Sequence, residues 1–428
     1  MNIAYVVPEF VTEVKGGGLA SYINNISQIL ADLGHNITII VKSKEDGTIN
    51  WRNNIKVIRV SVSLDNVDEN VPGSIYREWS RVLNERLIEE HNQGGNFDVV
   101  QYANWNAFAF ERTAIPTVVR ISSDLPLWRA ANRIDYDVNA EYDCIKVTDY
   151  MEDIALINAD EVFGPSELIA NIISQRTGKA IKVIESPFYQ RKIQSDESVF
   201  KQTLLGKRYI LSHGMLNLLK GTKLIADNIY DILNFDKTIN YVFAGKDCGW
   251  KDENEDIINA IDYIKKMAKE HADRIIYLGT LSREQLYPVI NNSLFCVLPS
   301  RIDNLPNTCI EAMSFGKIVL GTRGSSFEQL ITDGENGFLI DRENGNQLVE
   351  KIKEILKLSN AKREEVEACA KLRIEKMEPE VVAAQVLQLY RNTLDKKRDF
   401  GNEVYYKGLI EKYNNEVGLY SKEYMLSK

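Results

Sequence analysis

The sequence predicts an α/β protein of two doubly wound, mostly parallel sheets, and three observations carry that expectation. The chain has 428 residues, beyond the ~250–300 at which a single hydrophobic core stops growing and chains divide into domains. Short β-branched runs alternate with longer helical patterns from the first residue to about residue 340, as in βαβ units feeding a parallel sheet. A polar stretch without apolar periodicity, from Ser186-Pro187-Phe188-Tyr189 to about Ser198, separates two sets of strands and is the candidate hinge.

In the first half, strands are expected near 3–7, 36–42, 55–62, 98–102, 116–121, 161–163 and 181–184. In the second they are expected near 208–213, 239–245, 274–278, 294–298, 317–321 and 337–340. From about 344 helices take over, ending with Glu380 to Leu394 and a polar, aromatic tail from Phe400 to Tyr424 that is expected to pack as helix. The expected domains are therefore 1–195, 200–380 and a helical segment 381–428 packing back on the first domain. No repeat of solenoid period and no low-complexity segment interrupts this order.

Apolar residues make up 44% and charged residues 26% of the chain, the composition of an ordinary globular protein. A formal net charge of −9 argues against nucleic acid as a partner, which calls for a basic footprint, and leaves room for a local basic groove around one diphosphate. The longest apolar runs, such as Ile37 to Val41, fall far short of the ~20 residues that span a bilayer. Met1 to Val7 reads as a strand without the basic start and small-residue cleavage site of a signal peptide, so the cytoplasm is expected. Arg77 and Arg81 share one helical face and leave peripheral contact with the inner face of a membrane open. The oligomeric state is not legible. Cys144, Cys248, Cys296, Cys309 and Cys369 form no CxxC pair and read as reduced, structural residues. His35, His91, His213 and His271 show no ligand spacing, so no metal site is expected.

Four segments carry candidate chemistry. Gly16-Gly17-Gly18 opens a helix with apolar Leu19, Ile23, Ile26, Ile29, Leu30 and Leu33, where backbone amides can approach an anion. The pattern is not GxGxxG, so a nicotinamide cofactor loses support, and a merely flexible turn explains the glycines equally well. In Ser212-His213-Gly214-Met215-Leu216-Asn217-Leu218-Leu219-Lys220-Gly221, Lys220 lies at a loop-to-helix junction where an ammonium can meet a diphosphate, or simply be a solvated lysine. In Pro299 to Met313, Asp303 and Glu311 are placed to line one pocket and accept hydroxyl hydrogen bonds. The competing explanation is a capping box, Thr308-Cys309-Ile310-Glu311, in which Glu311 only ties down a helix start. Gly321 to Glu328 reads as another glycine-bearing strand-to-helix turn. The last three segments arrive in consecutive βα units of one domain, at strand ends where open α/β sheets bind ligands.

At these residues the sequence resembles a family: the retaining GT-B glycosyltransferases of the group 1 type, with an E-x7-E motif. The match runs in order through Gly17-Gly18 and the helix to Gly34-His35, then Lys220-Gly221, Asp303 to Glu311-Ala312-Met313, and Asp333-Gly334-Glu335-Asn336-Gly337-Phe338. It spans roughly residues 1–395 and is most specific in the second half. The resemblance implies two Rossmann-like domains facing a central cleft, and retaining, metal-independent transfer of a hexosyl group. The donor would be a nucleotide-diphosphate sugar, UDP foremost, serving as co-substrate without a cofactor. The acceptor would be a glycan, glycolipid or glycoprotein hydroxyl, as in polysaccharide biosynthesis. By the same resemblance Lys220 contacts the diphosphate, Glu311 the ribose hydroxyls and Asp303 the transferred sugar. Gly214 and the backbone amides of Asn304, Leu305 and Asn307 line the donor, and Gly17 and Gly18 let the first domain close on it.

Three residues depart from the family pattern. Asp303 replaces a glutamate and reaches less far, Met215 stands where an arginine follows the glycine, and Ser122 or Ser123 takes the place of a histidine. On the acceptor side the candidates are Ser122, Ser123, Asp124 and Trp105.

Other features read more simply. Asp135-Tyr136-Asp137 spells the DxD of metal-dependent transferases but lies in a polar, helical region. Asp252 to Asp256 reads as a solvated helix start. Trp79, Trp105, Phe108, Phe110 and Trp128 could stack on a sugar, or fill a core. The alternative function is a non-catalytic GT-B homologue that stabilises an active transferase. Met215 and the missing histidine favour it, and Lys220, Asp303 and Glu311 together argue against it.

Overall fold

A computed structural model describes residues 1–14, 17–69, 71, 73–111, 113–131, 140–188, 195–252 and 256–395. These form two compact units, one from residues 1–126, 140–187 and 379–395 and the other from 127–131 and 188–378.

The first unit holds eight strands: β1 (Asn2–Val7), β2 (Asn36–Ser43), β3 (Gly47–Arg52), β4 (Ile55–Ser61), β5 (Val99–Ala103), β6 (Thr117–Arg120), β7 (Glu161–Gly164) and β8 (Lys182–Val183). Its helices are α1 (Gly18–Asp32), α2 (Ser74–Glu90), α4 (Ala140–Asn158) and α5 (Glu167–Thr177), while α3 (Leu125–Ala131) runs into the second unit. The sheet order is β3-β4-β2-β1-β5-β6-β7-β8, parallel except for the β3–β4 pair. Strands β1 and β5 are buried on both faces, which is why Ile3 to Val7 reads as a continuous apolar run and not as alternation, while β5 is interrupted only by the buried Gln101. Edge strand β3 alternates intermediate and exposed residues and pairs antiparallel, so its apolar signal is too thin to find from sequence.

The second unit holds β9 (Arg208–His213), β10 (Leu216–Asn217), β11 (Ile239–Ala244), β12 (Asp247–Lys251), β13 (Ile257–Ile258), β14 (Ile275–Tyr277), β15 (Cys296–Val297), β16 (Val319–Thr322) and β17 (Phe338–Ile340). Its helices are α6 (Thr222–Phe235), α7 (Ala260–Ala268), α8 (Arg283–Asn291), α9 (Asn307–Ser314), α10 (Gly345–Leu356) and α11 (Asn360–Glu375). A six-stranded sheet runs β14-β11-β9-β15-β16-β17, with every pair parallel. A second sheet, β10-β12-β13, had no counterpart in the sequence reading because two of its strands are only two residues long. Both units thus have the doubly wound α/β architecture expected from the alternating pattern.

A last helix, α12 (Pro379–Asp395), returns to the first unit and buries Val382, Val386 and Leu389 in its core. The Tyr390 hydroxyl donates to Gln101 Oε1 at 2.7 Å and lies 3.1 Å from the Tyr5 hydroxyl. Among the described residues, no helix is long and apolar enough to cross a membrane.

Candidate functional site

In the second unit, three strand-end loops meet through backbone contacts that only glycine permits. A Cβ on Gly221 (φ +70°) would fall 2.0 Å from the Pro299 carbonyl oxygen, and one on Gly245 (φ +148°) 1.8 Å from that of Gly214. The Arg301 amide also donates to the Leu219 carbonyl at 2.8 Å. The loops following β9, β11 and β15 therefore close into one cluster at the carboxyl end of the sheet.

Within this cluster Lys220 Nζ donates to Asp303 Oδ2 at 2.6 Å, the side chains being 23% and 15% exposed. The Lys220 amide donates to Asn217 Oδ1 at 2.9 Å, which pins the residue at the turn into α6. An ammonium and a carboxylate 83 residues apart are thus held together at the mouth of the sheet. Gly214 packs against α9, since a Cβ there would lie 3.3 Å from Thr308 Cγ2. Leu305 is buried, Asn304 is half-buried, and Asn307 is exposed as the first residue of α9. Met215 is largely exposed.

The capping box proposed for Thr308 to Glu311 does not form. Pro306, with φ of −73°, occupies the N-cap position and has no side-chain hydrogen bond to offer. The fixed proline φ starts the helix at Asn307, so Glu311 falls past the first turn, too far along to reach back to the cap. Its carboxylate instead sits 16% exposed between Arg283 Nε and His213 Nε2, each 3.9 Å away. Burial raises the Glu311 pKa above the usual carboxylate range, and Arg283 opposes the shift.

His213, unassigned from sequence, ends β9 with its side chain 1% exposed. Neither ring nitrogen has a partner in good hydrogen-bond geometry, and the Thr308 backbone interacts with the ring more loosely. Burial lowers its pKa to about 4, against a smaller opposing effect of the Thr308 backbone, so the ring is neutral near pH 7. A buried polar atom left unpaired costs about 1–3 kcal/mol. The only sequence signal was its place beside Gly214.

Helix starts in this unit divide into two kinds. Helices α7, α8, α10 and α11 are capped by the side chains of Asn259, Ser282, Asn344 and Ser359. Helices α6 and α9 begin after Gly221 and Pro306 without any side-chain cap. Their first-turn amides keep the positive end of the helix dipole open toward an anion.

The other motifs of this unit are held by internal hydrogen bonds. The turn after β16 leads to a short helical turn, Phe327–Gln329, and the Gly324 amide donates to the Glu328 carboxylate at 2.8 Å. Asp333 Oδ1 accepts from the Leu339 amide, and Asn336 bonds both Thr332 and Leu330 backbone groups.

In the first unit, Gly17 precedes α1 with φ of +131°, and a Cβ there would lie 2.8 Å from Glu9 Oε1. That oxygen accepts from the Ala20 amide at 3.2 Å, so an internal carboxylate already meets the helix that Gly18 begins. Ser122 donates its amide to Asn104 Oδ1, Asn104 Nδ2 donates to the Ser123 carbonyl, and Arg176 donates to Asp124 Oδ1 at 2.7 Å. Trp105 is 36% exposed on a short helical turn. Phe108 and Phe110 are core residues, and Trp79 packs edge-on against Phe108. Arg81 is engaged by Glu78 and Glu85, and Arg77 by Glu111, so this face carries less free positive charge than the bare sequence implied. Gly16, Asp135, Asp137, residues 253–255 and the tail beyond 395 lie outside the described residues.

Residues 194–373 match the family model described as Glycosyl transferases group 1. The chain is 31% identical over 90 residues to an uncharacterized glycosyltransferase of Methanocaldococcus jannaschii, covering 21% of this chain and 26% of that one. It spans only 26–46% of the length of the curated relatives it matches. Sucrose-phosphate synthase of Thermosynechococcus elongatus superposes with a TM-score of 0.71 at 16% identity, over 91% of this chain and 98% of that one. HepE of Anabaena, in complex with UDP and glucose, superposes with a TM-score of 0.63 at 16% identity, over 91% and 99%. The chain therefore has the GT-B fold, and the stretch that resembles the group 1 glycosyltransferases lies almost wholly in its second unit.

Proposed function

We propose that the protein is a retaining glycosyltransferase that moves a hexosyl group from a nucleotide-diphosphate sugar, UDP foremost, to a hydroxyl of a glycan, glycolipid or glycoprotein. The observation that carries this reading is the Lys220–Asp303 pair, which joins the turn into α6 to the loop leading into α9, two helices with uncapped starts. An ammonium and two open helix ends supply positive potential for a diphosphate, so no metal is needed to hold it. Lys220 would meet the diphosphate, Asp303 the hydroxyls of the transferred sugar, and Glu311 the ribose. Gly214, Asn304, Leu305 and Asn307 would line the donor, and Gly17 and Gly18 would give the α1 loop its close approach. Ser122, Ser123 and Asp124, by the family resemblance, and Trp105, as a ring that could stack on a sugar, remain the acceptor-side candidates.

In this reading the acceptor oxygen bonds to C1 from the face that the phosphate oxygen leaves, and its proton passes to that departing phosphate. The protein then acts by holding two substrates together and stabilising the charge on the diphosphate, which requires no protein nucleophile. Such a reaction fits the cytoplasm, or the inner face of a membrane for a lipid-linked acceptor. The test is donor hydrolysis over a panel of nucleotide sugars in EDTA, without acceptor. Turnover of one donor is expected, and turnover restored only by a divalent metal would end the metal-independent reading. Silence from every donor would leave the non-catalytic partner in its place.

A further inference from the structure

We propose that His213 is a positioning residue for Glu311, its Nε2–H steering the carboxylate that takes the ribose hydroxyls of the donor nucleotide. This rests on the donor-site reading above. The ring sits beneath the site, cut off from solvent, with neither nitrogen in good hydrogen-bond geometry, and the Glu311 Oε2 atom lies 3.9 Å from its Nε2. Water cannot reach the ring to satisfy it. A carboxylate only accepts, so the pairing calls for the Nε2-protonated tautomer. The gap exceeds a hydrogen bond by about 1 Å, which a turn of the Glu311 side chain on nucleotide binding would have to close.

Glu311 has room for this role. A carboxylate offers about four lone-pair positions, so one can take the imidazole N–H while others take two ribose hydroxyls. The groups facing the pair are Arg283 on α8, 3.9 Å from Oε1, Tyr287 on the same helix, and the Thr308 backbone on α9. Arg283 is half exposed and reaches the carboxylate from the solvent side, so it cannot fix the inner oxygen. His213, rigid at the end of a central strand, can. The inference gives the site a preference for ribose with both hydroxyls, built from a residue that never touches the ligand.

The test compares binding of UDP and of 2′,3′-dideoxy-UDP by wild type, His213→Leu and His213→Gln. His213→Leu should weaken UDP about tenfold, or about 1.4 kcal/mol, and leave the dideoxy compound unchanged. His213→Gln places an amide N–H near the position of Nε2 and should restore most of the loss. In a Glu311→Gln background, His213→Leu should add nothing further. Nitrogen NMR of the wild-type imidazole should show the Nε2-protonated tautomer. Equal weakening of both nucleotides would reduce His213 to a core residue, and wild-type binding with an unaffected leucine variant, or an Nδ1-protonated ring, would overturn the proposal alone. Wild-type protein that binds neither nucleotide would overturn the donor reading and this proposal together.

Discussion

The loop after β6 and the loop after β15 both leave the carboxyl end of a parallel strand, yet they use their polar groups in opposite ways. After β6, Asn104 clamps Ser122 and Ser123 through both ends of its amide, and Arg176 takes Asp124. After β15, Asp303 reaches a partly exposed lysine, the helix that follows has no cap, and the neighbouring His213 and Glu311 stand just beyond hydrogen-bond distance. Buried polar groups are nearly always satisfied, so the bare ring of His213 sets the second region apart, although Arg120 Nε at the end of β6 also lacks a hydrogen bond. The first loop holds its own shape, while the second is built to be completed.

The largest test of that contrast is acid stability. Between about pH 4 and 6.5 the unfolded chain protonates His213 and the folded chain does not. Stability from this residue is therefore fully present above 6.5 and is lost as pH falls toward 4, on the order of 3 kcal/mol in all. Glu311 works the other way: its raised pKa means that the folded chain takes up a proton there more readily than the unfolded chain as pH falls, which offsets part of that loss. Urea midpoints of wild type and His213→Leu across this range should show a shallower acid slope in the variant. Identical slopes would mean that His213 is not held neutral, and the contrast between the two loops would lose its best example.

Next in size is Lys220→Ala. Losing a charged hydrogen bond should weaken nucleoside diphosphate binding by about 1.5–3 kcal/mol, roughly 10- to 150-fold, with little change in melting because the pair is partly exposed. Calorimetric titration in EDTA measures it. A double-mutant cycle with Asp303→Ala then separates the ammonium's own contact from its tether, since the two side chains are bonded to each other. Additive losses would mean that the pair is incidental.

The smallest effect is expected in the first unit. Asp124→Ala removes one partner of Arg176, which keeps Asp153 at 2.9 Å. Melting should fall by about 1–3 kcal/mol while nucleoside diphosphate affinity stays put. If affinity falls as far as it does for Lys220→Ala, the division between a shape-holding loop and a ligand-ready loop is wrong.

The sequence by itself determined the layering. A strand buried on both faces, such as Ile3 to Val7, announces itself by an unbroken apolar run, and helices by apolar residues at helical spacing. Lys220, Asp303 and Glu311 were visible as residue types at strand ends. The tertiary structure decided the rest, because the deciding contacts join residues far apart in the chain. That Lys220 and Asp303 are one ion pair follows from Gly221 letting its backbone lie on Pro299, a contact no local pattern encodes. Thr308 to Glu311 has the spacing of a capping box, yet Pro306 moved the helix start and released Glu311 toward His213. His213 itself looked like one of four scattered histidines. Whether a polar side chain is satisfied depends on what packs around it, and only the folded chain supplies those neighbours.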